Sequence, residues 1–401
     1  MQNIQIVLPP GLPADVCTEI AKRACYCDTS IAGCRYLKEE RTLKVGCNEG
    51  SDIAGLESKL QRLIAKMKSQ RLAVQPRTLA SRAGGAKAFA GDMFGALCRN
   101  GEVTKEGIGV VARRGEFFEL LRALDRFFER LSRQHFLSSV ADYSVLIPSE
   151  WLRRAGYFAS FPHSLTFATH LCEDYDRLEA FAERHKGGRA LKFEAIEELT
   201  TPEFCLSPAV CYHTYGVLMG HRLPDADQGL KACTAVGRCF RYESKNITDL
   251  ERLWEFTMRE IVFVGERERV LDARKRIMDL IWRFVELFDL KGEVATASDP
   301  FFATDFNSLR FFQLSNELKF ELQLPVDEEK SIACASFNYH ETFFGSRFDI
   351  KTASGEYAHT ACAAFGLERF AYACLVQLGA TRTWECLEQA DREFFGTSAG
   401  G

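Results

Sequence analysis

The stretch CFRYESKNITDLERLWEFTMREIVFVGE, residues 239–266, decides how the rest of the chain is read. Its two ends are rich in aromatic and β-branched residues and its middle is polar, the pattern of two strands joined by a loop. The spacing predicts strands over 238–244 and 252–265. Arg241 and Glu243 are two apart, so in a strand they share a face. Arg252, Phe256 and Glu260 follow at intervals of four, which again places them on one face, together with Trp254 and Met258. Two arginines, two carboxylates and an aromatic ring on one surface suit a bound triphosphate and a positively charged partner. The same residues also fit an ordinary sheet laced with cross-strand salt bridges. The pattern by itself leaves both open.

Outward from this hairpin, the chain reads as α+β. Residues 1–75 form a compact unit: a strand at 4–8 (IQIVL), a helix from Pro13 to Ala24, one or two strands in 36–47, and a helix from Leu56 to Met67 with its apolar residues on one face. Residues 76–92, rich in Ala, Gly and Ser with no apolar period, read as a linker. From 93 to 401 the elements belong to one large domain. Phe117, Leu120, Leu121, Leu124, Phe127, Phe128 and Leu131 make 116–131 a strongly amphipathic helix. YSVLIP (143–148) is extended, further helices are expected over 168–185 and 268–288, and strands over 318–324 and 331–350. Helices and strands do not alternate, which disfavours a parallel doubly wound sheet.

Composition narrows the class. The 401 residues include 51 Lys and Arg against 55 Asp and Glu, a net charge of −4, with 46% hydrophobic and 26% charged residues. This is a globular composition, not that of a disordered chain. A mildly acidic protein lacks the concentrated positive field of a dedicated polyanion binder. Apolar runs such as IVFV (261–264) are too short to cross a bilayer, and no signal peptide opens the sequence, so a cytoplasmic location is expected. The 15 cysteines include no C-x-x-C pair, and Cys98, Cys334 and Cys374 sit among apolar residues. Most are read as small buried hydrophobes, and any metal site must draw on distant residues.

Phe240-Arg241-x-Glu243, a loop, then Arg252-x3-Phe256-x3-Glu260 resembles motif 2 of the class II aminoacyl-tRNA synthetases. The 116–131 helix and the strand ending at Pro148 are similar to motif 1, the dimer-forming element. FGLERFAYACL (365–375) resembles motif 3, with Gly366, Glu368 and Arg369 on its strand-to-helix turn, and SFNYHETFFGSRFDIK (336–351) resembles the strand preceding it in the seryl-type branch. The resemblance covers about 110–390. It implies an antiparallel sheet flanked by helices, a homodimer, and ATP with magnesium.

Within that superfamily the chain resembles archaeal-type seryl-tRNA synthetases and their relatives, the amino acid:carrier-protein ligases, whose amino-acid pocket holds zinc. The matching ligand positions are Cys211, Glu260 and Cys362. Two thiolates and a carboxylate leave one tetrahedral position open, which would take the substrate's α-amino group. The resemblance further implies that Arg241 grips the carboxylate and α-phosphate. Arg252 and Arg369 would manage the outer phosphates and the adenine, Phe256 and Arg369 would sandwich the adenine ring, and Glu243 would accept its amino group or hold Arg241. Arg241 and Arg369 are thus the candidate catalytic residues. Two departures stand out. Ala364 replaces the first glycine of motif 3, and Ala333 or a neighbour replaces the usual acidic magnesium ligand, leaving Ser336, Asn338 and Glu321 as substitutes.

The expected activity is ATP-dependent activation of a small amino acid (glycine, alanine or serine) and its transfer to the phosphopantetheine thiol of an acyl or peptidyl carrier protein. A tRNA acceptor requires a broad basic face. Residues 1–75 carry 11 Lys and Arg against 8 Asp and Glu, a surplus of 11 − 8 = 3. An atypical seryl-type tRNA synthetase is the alternative. A catalytically idle relative is disfavoured because all three motif arginines and both cysteines are present.

Overall fold

The computed structural model describes residues 2–69, 76–84, 91–188, 190–191, 198–225, 229–299, 310 and 313–396. The N-terminal unit is a three-stranded antiparallel sheet, order β1-β3-β2, from β1 (Gln2–Val7), β2 (Ile31–Leu37) and β3 (Thr42–Cys47). Helices α1 (Ala14–Ala24) and α2 (Ile53–Ser69) complete it. Alternation along β1 buries Ile4 and Ile6 against Ile20, Val45, Leu60 and Ile64, a core separate from that of the rest of the chain.

The segment read as a linker is partly structured. Residues 78–82 form β4 (Thr78–Arg82), which pairs with β13 (Gly292–Thr296) at the edge of the main sheet. An edge strand has one neighbour and leaves most side chains exposed, so the sequence carries no apolar signal there. Residues 85–90 of that segment lie outside the described residues. A short helix, α3 (Met93–Arg99), and a hairpin, β5 (Val103–Gly107) with β6 (Val110–Arg113), follow. Gly109 in its turn has φ +69°, and a Cβ there would meet the Trp254 backbone nitrogen at 2.6 Å. Only glycine lets the hairpin lie this close to the chain entering the second motif 2 strand.

The 116–131 helix is α4 (Gly115–Phe136), followed by β7 (Ser139–Asp142), β8 (Leu146–Pro148), α5 (Ser149–Arg154) and α6 (Tyr157–Ser160). The apolar face of α4 is satisfied inside its own chain, where Phe128 stacks on Phe365 at 4.3 Å and Phe127 meets Phe284 edge-on. Its apolarity is therefore no argument for a dimer. The helix expected over 168–185 begins late. Strand β9 (Phe167–Ala168) and the Leu171–Leu199 bridge hold the first part extended, and the Asp174 side chain caps α7 (Tyr175–His185) by accepting from Arg177 N.

Strand β10 (Phe204–Leu206), helix α8 (Cys211–Val217), β11 (Leu230–Phe240), β12 (Glu255–Gly265) and α9 (Arg267–Leu287) come next. After β13 follow β14 (Lys319–Pro325), β15 (Ser331–Tyr339), α10 (Phe343–Arg347), β16 (His359–Gly366) and α11 (Leu367–Phe395), the last broken at Gly379. The strand expected over 331–350 ends at Tyr339, and the chain turns through Glu341 at φ 52° into α10. The eight-stranded sheet has the order β4-β13-β14-β15-β16-β12-β11-β7, antiparallel throughout except for β7 beside β11. The motif 2 strands and β16, which leads into α11, are adjacent at its centre. Helices α4, α9 and α11 pack over one face in a continuous hydrophobic core, which leaves the other face free to carry a site. Arg259 of β12, 1% exposed, ties the sheet to α4 through Asp125 (2.7 and 2.9 Å) and Glu129 (3.1 Å). Among the described residues, no helix is long and apolar enough to cross a membrane.

Candidate active site

Strand register builds the floor of the site. One row across the sheet runs Glu321, Ser336, Ala364, Glu260, and the next runs Lys319, Asn338, Cys362, Val262. Because residues two apart on a strand share a face, both rows point the same way. They face a cavity of about 460 Å3 that Arg241, Glu243, Phe256 and Arg369 also line.

At one end lie Cys211, the first residue of α8, Glu260 and Cys362. Their ligand atoms all fall within 4.8 Å of one another, although Cys211 is 49 residues from Glu260 and Cys362 a further 102 away. The Cys211 backbone N–H donates to Glu260 Oε2. Asn338 Nδ2 donates to Cys362 Sγ at 3.4 Å, and His340 Nε2 stands 4.0 Å from the same sulfur. Burial, with the charge of Cys362 adding to it, pushes the Glu260 carboxyl up to about 8. The hydrogen bond between the two cysteines raises the Cys211 thiol and lowers that of Cys362. Three acidic groups crowded into a buried corner are electrostatically unfavourable unless a cation joins them. Two thiolates and one carboxylate fit a tetrahedral zinc ion with one open position.

The rest of the candidate set is arranged less uniformly. Strand β11 ends at Phe240, so Arg241 and Glu243 lie just beyond it instead of within a strand, and Arg252 precedes β12. Arg241 donates from Nε to the Pro208 carbonyl at 2.8 Å, and its guanidinium lies 5.4 Å from the centre of the Phe256 ring. Arg252 does not line the cavity but forms an ion pair with Glu243. Burial alone would raise the Glu243 carboxyl, but Arg252, Arg369 and Arg241 together outweigh it and hold the group below its ordinary range. Arg369 donates from Nε to the Glu251 carbonyl and from Nη1 to the Ala333 carbonyl at 3.2 Å. Glu321 and Asn338 both line the cavity. The Glu321 carboxylate is already bonded, by Lys319 Nζ at 3.0 Å and Gln323 Nε2 at 2.8 Å. It does not fit the part of a free magnesium ligand.

Sequence reasoning missed several lining residues. Lys319 is held between Asp299 (2.7 Å) and Glu321; burial would raise the Asp299 carboxyl, but Lys319, with Gln313 and Arg241, keeps it below the usual range. A signal existed, since two charges at alternate positions of the apolar strand LKFELQLP mark an inward polar face. The buried Glu368 accepts from Thr257 N (2.9 Å) and Thr257 Oγ1 (2.8 Å) and pairs with Arg113 (2.9 Å), binding the start of α11 to β12. Tyr157, Tyr212 and Phe344 wall the cavity near the cysteines, brought there by helices with no periodic link to motif 2.

The model of the tRNA synthetase class II core domain (G, H, P, S and T) matches residues 192–377. Residues 192–377 therefore carry the class II tRNA synthetase core fold. It is 37% identical over 223 residues to amino acid–(acyl-carrier-protein) ligase 1 of Bradyrhizobium diazoefficiens, an alignment covering 55% of this chain and 66% of that protein. It is 28% identical over 296 residues to the type-2 serine–tRNA ligase of Methanopyrus kandleri, covering 70% of this chain and 55% of that one. The matched parts thus span just under two thirds of the first relative and about half of the second. Among solved structures, M. kandleri SerRS in complex with A. aeolicus tRNASec superposes with a TM-score of 0.69 at 21% identity, over 98% of this chain and 78% of that one. This last likeness establishes the fold, with its sheet and flanking helices.

Proposed function

We propose that this protein is a ligase that activates a small amino acid with ATP as the aminoacyl-adenylate and passes it to the phosphopantetheine thiol of a carrier protein. The observation that carries the reading is the Cys211–Glu260–Cys362 cluster at one end of a cavity that also holds Arg241, Phe256 and Arg369. The identity shared with the carrier-protein ligases supports the acceptor. Cys211, Glu260 and Cys362 would hold zinc, which when bound supplies a Lewis-acid position for a neutral α-amino group.

The chain's own residues supply the remainder. Arg241, anchored at Nε, keeps its terminal N–H groups for the substrate carboxylate and α-phosphate, where negative charge builds during transfer. No general base is needed for this step, since the attacking carboxylate is already ionised. Phe256 and Arg369 offer flat faces for the adenine ring. The aromatic wall of Tyr157, Tyr212 and Phe344 limits side-chain volume beside the cysteines, which favours glycine, alanine or serine. We assign the enzyme to the cytoplasm as a homodimer; Val140 on the edge strand β7 and Leu137 just before it are exposed (51% and 89%), a surface suited to a second copy.

The serine–tRNA ligase alignment reaches over more of this chain than that to the carrier-protein ligases, and on that observation a tRNA acceptor is the second reading. Pyrophosphate exchange across the twenty amino acids, followed by transfer to holo carrier protein or tRNA, separates them. A product labile to hydroxylamine and insensitive to ribonuclease is expected. Charging of tRNA with no thioester on any carrier would favour the second reading.

A further inference from the structure

The N-terminal unit has its own core, yet it meets the catalytic machinery at the motif 2 loop. The Lys22 carbonyl, in the last turn of α1, accepts from Asn246 Nδ2 at 3.2 Å. Asn246 ends the turn 244–246 of the motif 2 loop, and β2 packs against the same turn. Where the chain leaves α1, the Tyr26 phenol lies beside the Asn246 side chain, and its ring meets that of His163 edge-on with centroids 5.1 Å apart. His163 and Glu243 both line the active-site cavity, and Glu243 in turn holds Arg252. A single residue of the N-terminal unit therefore bridges the motif 2 loop and the cavity wall.

We propose that Tyr26 is a positioning residue for ATP: beside Asn246 and His163 it holds the motif 2 loop in the conformation that places Glu243, paired with Arg252 behind it, at the nucleotide end of the cavity. This rests on the ATP-dependent reading above and gives the N-terminal unit a role inside the activation step. The loop needs such a restraint. It contains two non-glycine residues in the left-handed region, Ser244 (φ 53°) and Asp249 (φ 37°), a conformation that persists only where surroundings impose it. Burial, with the Glu243 charge adding to it, pushes the Tyr26 phenol up to about 12, so the hydroxyl keeps its proton throughout the working range. Tyr26 stands outside the apolar core of its own unit, so replacing it leaves that core intact.

The test uses the full-length protein and three variants: Tyr26→Ala, Tyr26→Phe and Asn246→Ala. ATP affinity is measured by calorimetry, and KM values for ATP and for the amino acid by pyrophosphate exchange. Tyr26→Ala is expected to raise the Kd and KM for ATP roughly five- to tenfold, the scale of one ring contact and one polar contact. Tyr26→Phe, which keeps the ring, should recover part of the loss, and Asn246→Ala should match Tyr26→Ala. The KM for the amino acid and the metal content should not move. Wild-type ATP affinity in Tyr26→Ala overturns the proposal and leaves the activation reading standing. Equal loss for ATP and amino acid also overturns it, in favour of general destabilisation. A wild-type protein that binds no ATP sinks both. ATP binding weakened by Tyr26→Ala, without exchange in the wild type, supports the clamp and overturns the activation step.

Discussion

Replacement of Arg241 tests the activation reading most directly. Its guanidinium has five N–H donors. One, at Nε, is fixed on the Pro208 carbonyl at 2.8 Å, which orients the fork, while the Phe256 ring supports its face at 5.4 Å. The four N–H groups of Nη1 and Nη2 remain for the substrate. Arg241→Ala removes a fixed charge from a cavity where it is worth more than in water, and a single preorganised donor of this kind is worth roughly 3–4 kcal/mol of transition-state stabilisation, or on the order of 10²–10³ in rate. Arg241→Lys retains the charge but loses both the Pro208 anchor and the bidentate fork. It should therefore recover only part of that loss, on the order of 1 kcal/mol, because Lys is a point charge on a flexible stem. The assay is amino-acid-dependent pyrophosphate exchange, with far-UV circular dichroism and metal content as controls. A structural salt-bridge residue would instead lower stability and spare the rate. Arg241→Ala retaining more than about a third of the wild-type exchange rate would refute the reasoning.

Metal analysis should find about one zinc per chain, and Cys362→Ser should lose it, because a hydroxyl is a poor zinc ligand beside one remaining thiolate and a carboxylate; undiminished zinc in that variant counts against the site. The tie between α4 and β12 is expected to be cooperative. Asp125→Asn alone leaves Arg259 its bond to Glu129, whereas the double variant with Glu129→Gln leaves a guanidinium that is 1% exposed without a counter-charge and should cost about 3 kcal/mol in urea unfolding, more than the two single changes together. Acidification has a defined sign at Asp299. Its carboxyl is depressed in the folded chain by Lys319, so the stability it contributes is complete above the ordinary carboxylate pKa of about 4 and is lost as pH falls through the lower folded value. Asp299→Asn should flatten the acid limb of the unfolding curve, and an unchanged limb would show that other carboxylates dominate it.

How far the sequence reveals this molecule depends on the range of each interaction. Helix α4 was legible because seven apolar residues recur at helical spacing and all seven are buried. The motif 2 hairpin was legible because its chemistry is compressed into 28 residues, and Phe256, Met258 and Glu260 do share β12. The same period misplaced its ends. Strand β11 stops at Phe240, and the backbone leaves extended geometry at Ser244, so Glu243 and Arg252 meet as an ion pair in a loop and not as neighbours on a pleated face. The three ligands distant in sequence, Cys211, Glu260 and Cys362, came from a helix and two strands, and only the family resemblance linked them; the β12–β16 register that brings Glu260 near Cys362, and the packing of α8 that adds Cys211, are encoded by no local pattern. Strand β4 was hidden because an edge strand with exposed side chains has no hydrophobic signature. The contact between Tyr26 and the motif 2 loop was hidden for a further reason. Two units with separate cores meet through a few polar groups, so neither amphipathic period nor composition changes at the junction. A contact of that kind can alter catalysis without leaving any trace in the folding pattern, which is why the N-terminal unit's influence has to be sought in ATP affinity instead of in stability.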